Sequence, residues 1–130
     1  MVLATAVLAA SQTTEYKPKF TGDPARSEAE PSALGYMRTV VTAQKLYKKK
    51  HGKYASALAS LVGSGSFTKR MTNTNRGDYQ VGFRGKPEGY NLALTPRQFD
   101  GAHRAFFVDE SGAIRGEDDK PASAKSPPLK

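Results

Sequence analysis

The chain has 130 residues, which is enough for one domain with a single modest core. It contains no cysteine, so disulfides, cysteine-ligated zinc and thiol nucleophiles are excluded. Its formal net charge of +8 favours anionic partners such as nucleic acid, acidic lipid headgroups or acidic polymers. A soluble basic protein without such a partner has the same composition, so the charge alone leaves both interpretations open.

The first ten residues, MVLATAVLAA, are almost entirely apolar and end in small residues. This pattern is typical of the apolar region and cleavage site of a secretory signal, although no Lys or Arg precedes it. We therefore expect residues 1–10 to be a truncated export signal, and an apolar tail is the alternative. The run is shorter than the ~20 residues that cross a bilayer, so no transmembrane span is expected. The expected location is secreted, periplasmic or at the cell surface.

Residues 11–31 are polar and contain three prolines, so they are interpreted as a flexible arm. An amphipathic helix is predicted over residues 32–50. On a wheel of 100° per residue its apolar residues share one side, and Arg38, Thr42, Lys45 and Lys49 lie on the other. The apolar side consists of Ala33, Tyr36, Met37, Val40, Ala43 and Tyr47.

The ends of this helix carry capping signals. Ser27 and Glu30 have the spacing of a capping box, and Ser32 is an alternative cap. Pro31 suits the first turn of a helix. Basic residues at positions 48–51 complement the dipole at the last turn, and Gly52 is placed to end the helix in a left-handed conformation.

The second half of the chain alternates with a period of two, which is typical of half-buried strands. Two strands are predicted on either side of a hairpin loop at Gly85–Glu88, and Pro96 ends the second of them. A third strand is predicted over Arg104–Val108 and a fourth over Ala113–Arg115, joined by a tight turn at positions 109–112. The alternating apolar residues are Tyr79, Val81 and Phe83, then Tyr90, Leu92 and Leu94.

The order of these elements predicts an α+β fold. One long N-terminal amphipathic helix packs on a three- or four-stranded antiparallel sheet within residues 32–116. Residues 117–130 contain three prolines, three lysines and little that is apolar, and they are predicted to be a disordered tail.

Four stretches of the sequence resemble the globular heads of type IV pilins and type II secretion pseudopilins. They are ALGYMRTVVTAQKLY from Ala33, HGKY from His51 followed by Leu58 and Leu61, GYNLALTP from Gly89, and RAFFVDESGAIR from Arg104. The resemblance implies a pilin-like fold and a non-enzymatic structural or interaction role at the cell envelope. It also implies envelope or pilin-like partners, including further copies of the chain. Because the prepilin leader and apolar half-helix of that family are not in this sequence, the head fold is implied more strongly than filament assembly.

A run of basic residues between Tyr36 and Tyr54 contains no acidic residue. Because Tyr47 and Tyr54 interleave with these cations, the run is a candidate surface for DNA or another acidic polymer. A solvated helix face has the same pattern and is the favoured interpretation, since Lys is less suited than Arg to bidentate phosphate contacts. The candidate polyanion-binding residues are Arg38, Lys45, Lys48, Lys49, Lys50 and Lys53.

Catalytic and metal chemistry find little support in the sequence. His51 and His103 are the only histidines, and neither has the spacing of a paired metal ligand. The Asp109–Gly112 stretch lacks the further oxygen ligands of a calcium loop and has the residues of a tight turn. No nucleophile with a base can be assembled, so we expect no enzymatic activity, no cofactor, no metal and no small-molecule substrate.

Overall fold

The computed structural model describes residues 17–129, which form one α-helix, two 3-10 helices and a five-stranded antiparallel sheet. The helix α1 spans Glu30–His51, and the 3-10 helices span Leu58–Leu61 and Lys69–Thr72. The strands are β1 (Asn75–Arg76), β2 (Tyr79–Lys86), β3 (Gly89–Pro96), β4 (Ala105–Asp109) and β5 (Arg115–Glu117), and neighbours in the chain are neighbours in the sheet.

The α+β class, with one helix and an antiparallel sheet, is confirmed. Two finer points were wrong. The sheet has five strands instead of three or four, because the short β1 adds an edge strand beside β2. The helix precedes the sheet but begins only at Glu30, so it is not at the N-terminus of the chain. The predicted export signal at residues 1–10 lies outside the described residues.

The start of α1 differs from the predicted capping box. Pro31 lies in the first turn as expected, but no side chain caps the helix. The Ser27 hydroxyl instead donates to the carbonyl oxygen of Ala102. The Glu30 carboxylate accepts from the Arg26 backbone N–H at 2.8 Å and forms an ion pair with Arg104. The tertiary ion pair therefore takes the carboxylate that the local motif was expected to use.

The end of α1 follows the prediction. Gly52 has a φ of 77° and its N–H donates to the Lys48 carbonyl at 2.7 Å. That left-handed conformation is accessible to glycine at little cost. The basic last turn lies beside the free carbonyls of the helix end, where positive charge is stabilising.

The predicted apolar side of α1 is buried, except for Tyr47, which is only partly buried. Two further residues, Leu34 and Gln44, are also completely buried. The Gln44 side-chain amide accepts from the Ala55 N–H at 2.8 Å and donates to the Ala55 carbonyl at 3.2 Å. This polar residue therefore satisfies the backbone of the segment that follows α1, which explains its burial.

The inner face of the sheet packs against α1 through the alternating residues that were predicted. Val81 pairs with Leu94 across β2 and β3, and Leu94 in turn pairs with Phe106 of β4. The hairpin between β2 and β3 is tighter than expected, since Lys86 pairs with Gly89. The last strand runs two residues later than predicted, as β5.

Both predicted flexible segments pack on the domain where they are described. The Gly116 N–H donates to the Pro127 carbonyl at 3.0 Å, and Arg115 forms a bridge with Pro128. Ala122 covers the outer face of β4. The prediction of a disordered tail rests on composition. In the structure the open backbone edge of β5 supplies hydrogen bonds to this segment, which packs on the domain up to residue 129.

The arm predicted over residues 11–31 is likewise held at its end. Ala25 belongs to the hydrophobic core, and the Pro24 carbonyl accepts a hydrogen bond from the Arg104 guanidinium at 2.9 Å. The arm was expected to be flexible because its sequence is polar. The buried Arg104 side chain supplies a partner that only the folded chain provides.

Candidate polyanion-binding surface

The outer side of α1 carries three of the six predicted cations in one line. Arg38, Lys45 and Lys49 follow each other at spacings of seven and four residues, which places them within about 40° on a helix of 100° per residue. All three side chains are exposed and lie opposite the buried side of the helix. The helix therefore presents three positive charges as a single row.

The other three predicted cations lie around the end of α1. Lys48 is turned about 60° from Lys45, and its Nζ lies 4.7 Å from the centroid of the Tyr54 ring. Lys50 lies on the opposite flank, about 140° from Lys45. Lys53 follows Gly52 and is beyond the helix. The structure thus divides the six residues into a row of three and a group of three.

The two tyrosines that interleave with these cations are partly exposed, and their rings already contact neighbouring side chains. The Tyr47 ring lies 4.2 Å from the His51 ring. The Tyr54 ring packs edge-on against Tyr90 at 5.2 Å and is also covered by Lys48. A base that stacked on either ring would compete with these contacts, so we expect the two rings to add little to binding.

The basic region is larger than the predicted run. No Asp or Glu occurs from Pro31 to Gly77, so the region includes α1 and both 3-10 helices. This signal was present in the sequence, but nothing local showed that the second part lies beside the first. The nine cations are the six residues discussed above together with Lys69, Arg70 and Arg76.

Two contacts join the second part of this region to α1. The Tyr36 hydroxyl donates to the Met71 carbonyl at 2.9 Å, and the Arg76 guanidinium lies 4.2 Å from the centroid of the Tyr36 ring. Burial raises the pKa of Tyr36, and the charge of Arg76 opposes part of this rise. The Tyr36 ring therefore brings Arg76 to the side of the helix.

Arg76 also lines an open cleft of about 730 Å³. Its Nη1 donates to the Arg70 carbonyl at 3.4 Å, so the guanidinium is held at two points. Among the described residues, no carboxylate lines this cleft. Its polar lining consists of Ser32, Thr68, Lys69, Arg70, Asn73, Asn75 and Arg76.

His103 occupies a different part of the surface, between two carboxylates. Its Nδ1 lies 2.7 Å from an Asp100 oxygen and its Nε2 lies 3.0 Å from an Asp78 oxygen. The hydrogen bond to Asp100 raises the pKa of His103 most, and the same bond lowers the pKa of Asp100. With both ring nitrogens engaged, the imidazole ties the turn before β2 to the segment before β4. This arrangement suits a structural clasp better than a general base.

Further observations limit what the site can hold. Among residues 17–129, no three His, Asp or Glu side chains converge in a way that would hold a metal ion. None of the helices in that part of the chain combines the length and apolar character that crossing a bilayer requires.

Comparison of the chain with protein-family models, with curated proteins and with solved structures gave no match.

Proposed function

We propose that this protein is a non-enzymatic module that binds the phosphate backbone of nucleic acid on the surface formed by α1 and the two 3-10 helices. The observation that carries the proposal is the stretch from Pro31 to Gly77, which has nine Lys or Arg residues and no acidic residue. Within residues 17–129, none of these nine cations forms a salt bridge with a carboxylate. Their charge is therefore available to an external anion.

A nucleic acid fits this surface better than a sparsely charged polymer. Duplex DNA carries one negative charge per ~1.7 Å of helix axis, and binding releases its condensed counterions. Six of the nine cations lie on α1 or directly beyond its end, and five of these six are Lys within residues 45–53. Lys provides point charges, and the rings of Tyr47 and Tyr54 already contact His51 and Lys48. We therefore expect binding that depends strongly on salt and little on base sequence.

The test measures binding of a labelled mixed-sequence DNA duplex over a range of salt concentrations. One variant changes the outer row of α1 by Arg38→Gln, Lys45→Gln and Lys49→Gln. A control with the same change of charge carries Arg84→Gln, Lys86→Gln and Lys125→Gln, away from the helix. Arg84 and Lys86 lie on the exposed outer face of the sheet, and Lys125 lies in the C-terminal segment.

The wild-type protein should show a linear fall of log K with log salt. Each phosphate contact contributes about 0.9 to this slope, so the outer-row variant should have a slope shallower by about 2.7. The control should keep the slope of the wild type. Absence of binding at low salt, or equal losses in both variants, contradicts the proposal. Equal binding of a sulfated polysaccharide at matched charge would instead assign the site to acidic polymers in general.

A second candidate is the structural or interaction role at the cell envelope that the pilin resemblance implies. The supporting observation is the order of elements, in which α1 precedes an antiparallel meander and packs on its inner face. Its partners are then other envelope or pilin-like proteins, or further copies of the chain. Fractionation of the producing cells should recover the protein outside the cytoplasm, and cross-linking should capture an envelope protein. Recovery from the cytoplasm alone contradicts this candidate.

A further inference from the structure

A shallow furrow runs along one flank of α1, between the helix and the segment of residues 64–77. One part has a volume of about 260 Å³ and is lined by Gly35, Arg38, Thr39, Thr42 and Ser66. The other part is the cleft of about 730 Å³ described above. The two parts follow each other, since Ser32 and Gly35 are one turn apart on α1 and Ser66 and Thr68 are two residues apart on the facing wall.

Four small residues with free hydroxyl groups line the furrow. Ser32, Thr42, Ser66 and Thr68 are exposed, and within residues 17–129 their hydroxyl groups have no hydrogen-bond partner. Each hydroxyl can donate to an anionic oxygen. Because Ser and Thr side chains are small, they leave room for an extended chain in the furrow and also give it a polar lining.

Cations line both parts of the furrow. Arg38 lines the smaller part, and Arg76 with Lys69 and Arg70 lines the larger part. Arg76 differs from the rest because its contacts with the Tyr36 ring and the Arg70 carbonyl hold it in place. A guanidinium that is already ordered loses little side-chain entropy on binding and can contact a phosphate with two parallel hydrogen bonds.

Negative charge closes the furrow beyond Arg76. Asp78 follows Gly77 directly, and Asp100 lies on the other side of His103 from it. Arg97 lies beside them, and its Nε donates to the Gly77 carbonyl at 2.8 Å. While His103 is neutral, the two carboxylates and Arg97 leave this end of the furrow with a net negative charge, which disfavours an anionic chain. The favourable stretch for an anion therefore extends from Arg38 to Arg76 and ends at the turn before β2.

We infer that this furrow is the track for one phosphodiester strand, with Arg76 as its fixed phosphate contact. The inference rests on the proposed function and adds the place and direction of binding. One strand of the duplex lies along α1, its phosphate oxygens accept from the hydroxyl groups of the walls, and the rest of the duplex lies on the solvent side. The outer row on α1 attracts the strand from the side.

The first test changes Arg76 alone. Arg76→Gln should weaken binding of the mixed-sequence duplex about eightfold in 0.1 M salt, since one phosphate contact contributes about 0.9 to the slope of log K against log salt. Arg76→Lys keeps the charge but cannot make two parallel hydrogen bonds to a phosphate. Its affinity should lie between those of the wild type and Arg76→Gln. Lys86→Gln removes one positive charge from the outer face of the sheet. It is the matched control and should bind like the wild type.

The second test blocks the furrow without a change of charge. A Cβ placed on Gly35 meets no atom within 4 Å, so Gly35→Gln should fold and keep its helical circular dichroism. Its side chain would occupy the furrow and should weaken duplex binding at every salt concentration with little change of slope. If Gly35→Gln and Arg76→Gln both bind like the wild type while the outer-row variant loses binding, the furrow is refuted and the proposed function stands. If the wild-type protein binds no duplex at low salt, both fail.

Discussion

The Glu30–Arg104 ion pair offers the sharpest test of how this fold is held together. The Arg104 Nε donates to one Glu30 oxygen at 2.8 Å and its Nη2 donates to the other at 2.7 Å. The Glu30 side chain is 1 % exposed and the Arg104 side chain is 8 % exposed. The pair joins the first residue of α1 to the residue before β4, so it connects the two layers of the domain.

Removal of one partner should cost much more than removal of both. Arg104→Met leaves the Glu30 carboxylate buried without a counter-charge, which typically costs 3–5 kcal/mol, about the lower end of the stability of a small domain. With about 4 °C per kcal/mol for a domain of this size, we expect the melting temperature to fall by about 12–20 °C. The double change Glu30→Leu with Arg104→Met removes both charges. The double variant should lose less than half of the unfolding free energy that Arg104→Met loses, because only the hydrogen bonds to Pro24 and Arg26 are then missing.

Urea unfolding and thermal scans followed by circular dichroism at neutral pH measure these differences. Arg26→Met is the matched control, because the Arg26–Asp118 pair is exposed and should contribute less than about 1 kcal/mol. The reasoning is refuted if Arg104→Met costs no more than the control. It is also refuted if the double variant is as unstable as Arg104→Met, since the cost would then come from packing and not from an uncompensated charge.

Two further outcomes follow from the described contacts. Gly85→Ala should destabilise the domain, because the added Cβ would lie 2.2 Å from the Ala55 carbonyl oxygen. Gly82→Ala, on the outer face of the sheet, should cost little stability. Equal urea midpoints for the two variants would contradict this prediction. Because the pKa of His103 is raised, its contribution to folding stability is present below about pH 6.5 and is lost as the pH rises through the raised pKa. Because the pKa of Asp100 is lowered, its contribution to folding stability is present above about pH 4 and is lost as the pH falls. Stability should therefore decline above pH 6.5 in the wild type more than in His103→Asn, and parallel urea midpoints from pH 5.5 to 8.5 would refute the clasp.

The elements that depend on local patterns were predictable. The period of 3.6 on α1 and the period of two on β2 and β3 report which side of each element is buried, and the core residues follow from them. The glycine that ends α1 and the turn before Gly112 depend on backbone conformations that only a few residue types adopt at low cost. These features need no knowledge of distant parts of the chain.

The features that join distant residues were decided only by the tertiary structure. Glu30 and Arg104 are 74 residues apart, so the sequence showed a helix-capping carboxylate where the fold has a buried ion pair. The tail after β5 was judged by its composition, although the backbone of an edge strand binds any segment with matching N–H and C=O groups. The basic surface shows both effects: the sequence determined its charge and the exposed row on α1, but only the packing of Arg76 on Tyr36 creates the furrow. Charge is a property of residue types, whereas a concave surface requires two segments that the chain brings together by folding.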